Sequence, residues 1–62
     1  MCESTVYLQE KDGELKKVMD NVIFVTPQKD SVFIEDILGE QMNVKGTLRE
    51  IKLLDHKVLI DA

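Results

Sequence analysis

Turn-forming residues interrupt this chain so often that no long helix has room to form. Lys11-Asp12-Gly13, Asp20-Asn21, Gln28-Lys29-Asp30, Gly39-Glu40, Gly46 and Asp55-His56 each punctuate a short apolar run. Residues 3–10 alternate, with Val6 and Leu8 on one face and Thr5, Tyr7 and Gln9 on the other. That is the period of a half-buried strand. Asp12-Gly13 supplies the positive-φ positions of a tight hairpin, which predicts a second strand over residues 14–19. Asp20-Asn21 is expected to break the chain before Val22-Ile23-Phe24-Val25, an apolar run that reads as buried on both faces. Pro27 has no N–H to give to a ladder and is expected to end that strand at an edge. Val32-Phe33-Ile34, Met42-Asn43-Val44 and Val58-Leu59-Ile60 read as further strands. Residues 47–54 fit two patterns. Leu48, Ile51 and Leu54 share a helical face, but the flanking turns favour a hairpin. About five to seven short strands predict one all-β domain over residues 1–62, a small SH3-like or Sm-like barrel or highly curved sheet. Full closure would remove the exposed strand edges.

A chain of 62 residues buries only about 60% of the surface it exposes when unfolded, so its core is marginal. Domains of this size commonly add a disulfide, a metal or a second subunit. Cys2 is the only cysteine, so no intrachain disulfide can form. A metal, an oligomer, or both remain. Hydrophobic residues at 44% and charged residues at 32% mark the chain as globular rather than disordered. The net charge of −4 opposes phosphate backbones, and Lys16-Lys17 is the only adjacent basic pair. Nucleic acid is therefore a disfavoured partner. No apolar run approaches the roughly 18 residues of a membrane span. Met1-Cys2-Glu3-Ser4 has neither the basic nor the apolar part of a signal peptide, and with a free thiol this points to the cytoplasm.

Cys2 carries the most chemistry. A thiolate is a nucleophile and a strong ligand for nickel, zinc and copper. If the initiator methionine is removed, amine nitrogen, amide nitrogen and thiolate can chelate one ion within a single residue's span. Nitrogen and sulfur donors in a plane suit Ni(II) or Cu(II). If Met1 is retained, Cys2 offers only thiolate and amide nitrogen, and a second Cys2 across a two-fold axis completes the set. A homodimer with one Cys2 from each chain fits either start. As a structural residue, Cys2 would simply be a small apolar side chain near a terminus.

The remaining candidates read as structural. His56, the only histidine, lies in the Asp55-His56-Lys57 turn, where an exposed polar residue needs no function. Asp55 and Asp61 read as a turn residue and a chain-end acid. Glu35 and Asp36 are adjacent on a strand and point to opposite faces. Glu10, Asp12 and Glu14 flank a hairpin, while Met19 and Met42 fill gaps in the core. No glycine-rich phosphate loop, CxxC, HExxH or GxSxG occurs. Nothing local ties His56 to Cys2 as a base, so the sequence does not read as an enzyme.

Met1-Cys2-Glu3-Ser4-Thr5-Val6-Tyr7-Leu8, Asp12-Gly13, Val18-Met19-Asp20-Asn21-Val22, Leu38-Gly39-Glu40, Val44-Lys45-Gly46 and Ile51-Lys52-Leu53-Leu54-Asp55-His56-Lys57 resemble the CooT-type nickel-binding proteins. The resemblance implies a small cytoplasmic homodimer that binds Ni(II) through Cys2 and serves carbon monoxide dehydrogenase maturation. Members have also been labelled RNA-binding, by likeness to Sm-like barrels. The alternative is thus an Sm-like RNA- or protein-binding module in which Cys2 is incidental. Lys45, Arg49, Lys52 and Lys57 would be its first cations. The sparse aromatics Tyr7, Phe24 and Phe33 argue against it, since base stacking needs exposed rings beside cations and both phenylalanines read as core.

Overall fold

The computed structural model describes residues 3–62. Six strands form one sheet: β1 (Ser4–Gln9), β2 (Leu15–Pro27), β3 (Ser31–Asp36), β4 (Gln41–Lys45), β5 (Thr47–Lys52) and β6 (Lys57–Asp61), in the order β4-β3-β2-β1-β6-β5. Every neighbouring pair is antiparallel except β1 and β6, which run parallel from Thr5↔Lys57 to Gln9↔Asp61. The all-β expectation holds, and residues 47–52 are strand rather than helix, with the chain turning over 53–56.

The long strand β2 organises the domain. Its first part, Leu15 to Val22, pairs with β1, and from Val22 to Pro27 it pairs with β3. Asp20-Asn21 does not break the chain as expected. Asn21 instead takes a φ of 56° inside a continuous strand, and the register shifts on both sides of it. Asparagine tolerates that conformation better than most residues. Bulges of this kind bend a strand and raise its twist. The inner faces of the two strand sets thereby meet in one cluster of Val6, Val22, Val58 and Ile60 with Val32, Ile34 and Val44.

One layer has one buried face, and this corrects the reading of residues 22–25. Val22 is buried at 2%, whereas Ile23 and Phe24 are 45% and 55% exposed. Phe24 pairs with Glu35 and Phe33 with Thr26 on the outer face, so neither phenylalanine is core. Pro27 does end β2, as its missing N–H dictates.

The sheet is not closed by hydrogen bonds into a barrel, because β4 and β5 are its two edges. The reason lies at Gly46. A single residue between two strands cannot make a hairpin, which needs at least a two-residue loop. The chain runs through Gly46 with a φ of 145°, its N–H donating to the Asp30 carbonyl at 3.1 Å, and β5 goes on to pair with β6. A Cβ added at Gly46 would overlap the Asp61 carbonyl oxygen and press on Ile60. Gly46→Ala is therefore expected to lower stability by more than the roughly 1 kcal/mol of backbone strain alone, seen as a reduced urea midpoint. Gly13→Ala is the comparison: its φ is also positive, at 91°, but nothing lies within 4 Å of the new atom. Equal losses at the two glycines would show that the contact at Gly46 is unimportant.

Asp36 is the one buried charged residue of the core region described, at 8% exposure. Its Oδ1 accepts hydrogen bonds from the N–H groups of Leu38 and Glu40, both at 2.9 Å. It caps the turn into β4, and its carboxylate is not poised for chemistry.

Candidate metal centre

Cys2, the candidate ligand, lies outside the described residues, which begin just before β1. Glu3 is half-buried, and β1 begins at Ser4, opposite Val22. On the other side the Thr5 N–H donates to the His56 carbonyl at 2.9 Å. A third tie comes from side chains: the Thr5 hydroxyl donates to Asp20 Oδ1 at 3.1 Å, while Lys17 Nζ donates to Asp20 Oδ2 at 2.9 Å. The start of β1 is thus held from both neighbouring strands.

Asp20 and Lys17 perturb each other. The hydrogen bond from Lys17, then that from Thr5, holds the Asp20 carboxyl below its ordinary range. The same pair raises Lys17, first by the hydrogen bond to Asp20 and then by its charge. The Asp20 contribution is present above its unfolded-state pKa and fades as pH falls through the lowered one. The Lys17 contribution fades only as pH rises through its raised value. Both side chains are about half exposed, so solvent screens the pair and it adds little to stability.

The structure brings His56 beside the start of β1, where its carbonyl accepts the Thr5 N–H. The parallel pairing sets His56 level with Ser4, in a turn where His56 itself has a φ of 53°. The sequence carries no local signal for this, because the pairing spans almost the whole chain. The other candidates are structural. Asp12 Oδ1 accepts the Glu14 N–H at 2.9 Å and closes the first hairpin. Asp61 faces Arg49 at 3.4 Å, and Glu35 accepts from Gln41 at 3.2 Å on the face opposite Asp36. Met19 packs against the core, while Met42 is 41% exposed at the β4 edge. Among the described residues no three His, Cys, Asp or Glu side chains gather as a metal site, and no pocket opens.

For RNA, Phe24 offers the exposed ring that stacking requires, but its cross-strand neighbour is the acidic Glu35. Lys57 lies over the Tyr7 ring, 6.0 Å from its centre, and Arg49 is engaged by Asp61. No helix of the described residues is long and apolar enough to cross a membrane.

A single bent six-stranded sheet, without helices among the described residues, makes this a small all-β protein. Comparison with known proteins gives this class its family. The model of the CO dehydrogenase accessory protein CooT family matches residues 1–61, and the chain belongs to that family. An uncharacterized protein from Methanothermobacter thermautotrophicus is 36% identical over 61 residues, covering 98% of this chain and 89% of that one. The fold is similar to the crystal structure of a candidate CooT from Carboxydothermus hydrogenoformans, with a TM-score of 0.84. That match covers 97% of this chain and 95% of the other at 22% identity, and it speaks for the fold alone. Membership of an accessory-protein family also points to a non-catalytic role beside an enzyme partner.

Proposed function

We propose that this protein binds Ni(II) through Cys2 at a homodimer interface and acts in the cytoplasm as a metallochaperone-like accessory in carbon monoxide dehydrogenase maturation. The observation that carries the reading is the family match over residues 1–61 in a sequence whose only cysteine is Cys2. Nickel is the cargo here. Each chain contributes a thiolate and a backbone nitrogen, and two chains complete an N₂S₂ set that suits a planar d⁸ ion. A dimer also gives a marginal core the second subunit that small domains commonly need. The protein performs no bond-making chemistry of its own. It holds the ion by soft donors and releases it to the enzyme that uses it.

The test is a titration of the wild-type protein with Ni(II), read by absorbance and by mass of the intact complex. Thiolate-to-nickel charge-transfer bands should grow and saturate at one metal per two chains. Saturation at one metal per chain without those bands, or no binding at all, overturns the reading.

A further inference from the structure

The two edges of the sheet are unequally protected. An edge strand is a row of free N–H and C=O groups, and proteins blunt such rows with bulges, prolines and charges. β5 is blunted in this way: its register shifts between Leu48 and Glu50, and Arg49, Glu50 and Lys52 charge it. β4 is not. It pairs with β3 without a shift from Ser31↔Lys45 to Glu35↔Gln41, it has no proline, and Lys45 at its end is its only charge. The phase of the ladder tells which backbone groups are free. Asp36 donates its N–H to the Glu40 carbonyl at 2.9 Å, and Gly46 donates to the Asp30 carbonyl at 3.1 Å. Hydrogen-bonded pairs alternate with unbonded ones in an antiparallel ladder. Met42 and Val44 therefore turn their backbone groups toward β3, while Gln41, Asn43 and Lys45 turn theirs outward along the open edge.

We infer that β4 takes up an extended segment of a partner protein as an added antiparallel strand, with the pattern acidic–apolar–any–apolar–basic. Extended backbone matches this row of alternating donors and acceptors, and strand addition draws affinity from main-chain bonds and specificity from alternate side chains. Register sets where those side chains go. Segment residues opposite Val44 and Met42 lie on the inner face, where Met42, paired with Ile34, is left 41% exposed. An apolar side chain there covers it. The middle residue lies opposite Asn43 on the outer face, next to Phe33. Charge sets the polarity of the segment. Glu35, which accepts from Gln41 on the outer face, and Glu40, which leads into β4, make the Gln41 end acidic. Lys45 makes the other end basic. An antiparallel segment thus starts with its acidic residue at Lys45 and finishes with its basic residue at Gln41. A second copy is a poorer occupant. Its β5 edge is bulged, its β4 brings Gln41 rather than a carboxylate to Lys45, and two chains of net charge −4 repel. The inference stands apart from the nickel reading, which is tested by metal titration.

The experiment is amide NMR of the isotope-labelled full chain, titrated with the capped synthetic peptide Ser-Glu-Val-Thr-Val-Lys-Ser. Shifts should be largest at the amides of Gln41, Asn43 and Lys45, with half-saturation below about 1 mM peptide. Asn43→Pro removes an outward N–H and leaves the ladder to β3 whole, a place where an edge strand tolerates proline. It should keep the far-UV spectrum and weaken peptide binding at least about tenfold. The same peptide N-methylated at its threonine lacks the N–H that meets the Asn43 carbonyl and should bind wild type as poorly, so the test holds even if Asn43→Pro does not fold. Glu35→Gln/Glu40→Gln should weaken binding by roughly threefold or more, less so in high salt. No saturable shifts, shifts centred on β5, or full binding of the N-methylated peptide overturns the inference. So does a fall in the light-scattering mass of peptide-free protein on Asn43→Pro substitution, which would show that a second copy already occupies the edge.

Discussion

Cys2→Ala is expected to abolish the thiolate-to-nickel bands and to lower nickel affinity at least a hundredfold, with the far-UV spectrum unchanged. In the proposed two-fold site the alanine removes the soft donor from both halves at once. What remains is backbone nitrogen, which does not give up its proton to a metal readily without an anchoring thiolate. Affinity in the wild type should also fall with pH. A free thiol has a pKa near ~8.5, and nickel must displace protons from sulfur and nitrogen alike. The bands should therefore weaken steadily as the buffer is taken from mildly alkaline to acidic. His56→Ala is the control, expected to leave affinity within a factor of a few, since its side chain is exposed in a turn. A Cys2→Ala protein with wild-type affinity, or a His56→Ala protein that loses it, would put the site elsewhere.

Ile34→Ala should leave much of the protein unfolded at ambient temperature. Ile34 has no exposed surface and pairs with Val25 and Met42 on the inner face, packed among Val32, Val44 and Val6. Truncating a buried isoleucine to alanine costs about 2–5 kcal/mol, through lost transfer energy and the cavity left behind. A chain of this length has only about 3–9 kcal/mol of total stability, and one small core rarely supplies more than about 3–5. The magnitudes decide the outcome. Thermal melting by circular dichroism should show a midpoint at least about 10 °C lower. A loss below about 1 kcal/mol would mean that the cluster relaxes into the space.

What could be read in the sequence was whatever depends on neighbours along the chain. Asp12-Gly13 closes its hairpin because the requirement for positive φ is local, and the alternation of Val6 and Leu8 with Thr5 and Tyr7 survives intact in β1. Asp20-Asn21 misleads because a bulge and a chain break use the same residue types, and only pairing on both sides separates them. Phe24 misleads because an apolar strand residue is as compatible with an exposed outer face as with a core. Whether β4 and β5 would pair depends on one glycine and on the path of β5, information that no periodicity holds. Cys2 is singled out by residue type alone, and it lies outside the described residues. The three ties that fix the start of β1, from Val22, His56 and Asp20, are contacts between distant positions.

The parallel pairing of β1 with β6 also has a consequence for how the molecule comes into being. Val6 lies beside Val58, almost the full length of the chain away, and both are central to the core. Closing so long a loop costs entropy before any contact repays it, and topologies dominated by distant pairs fold slowly. During synthesis β1 emerges before the other strands, yet β6, which flanks it, is made after them. Until residues 57–61 are free to pair, β1 is held from the β2 side alone. Folding is in this sense a check on completeness: a molecule cut short before β6 leaves β1 without one of its two neighbouring strands.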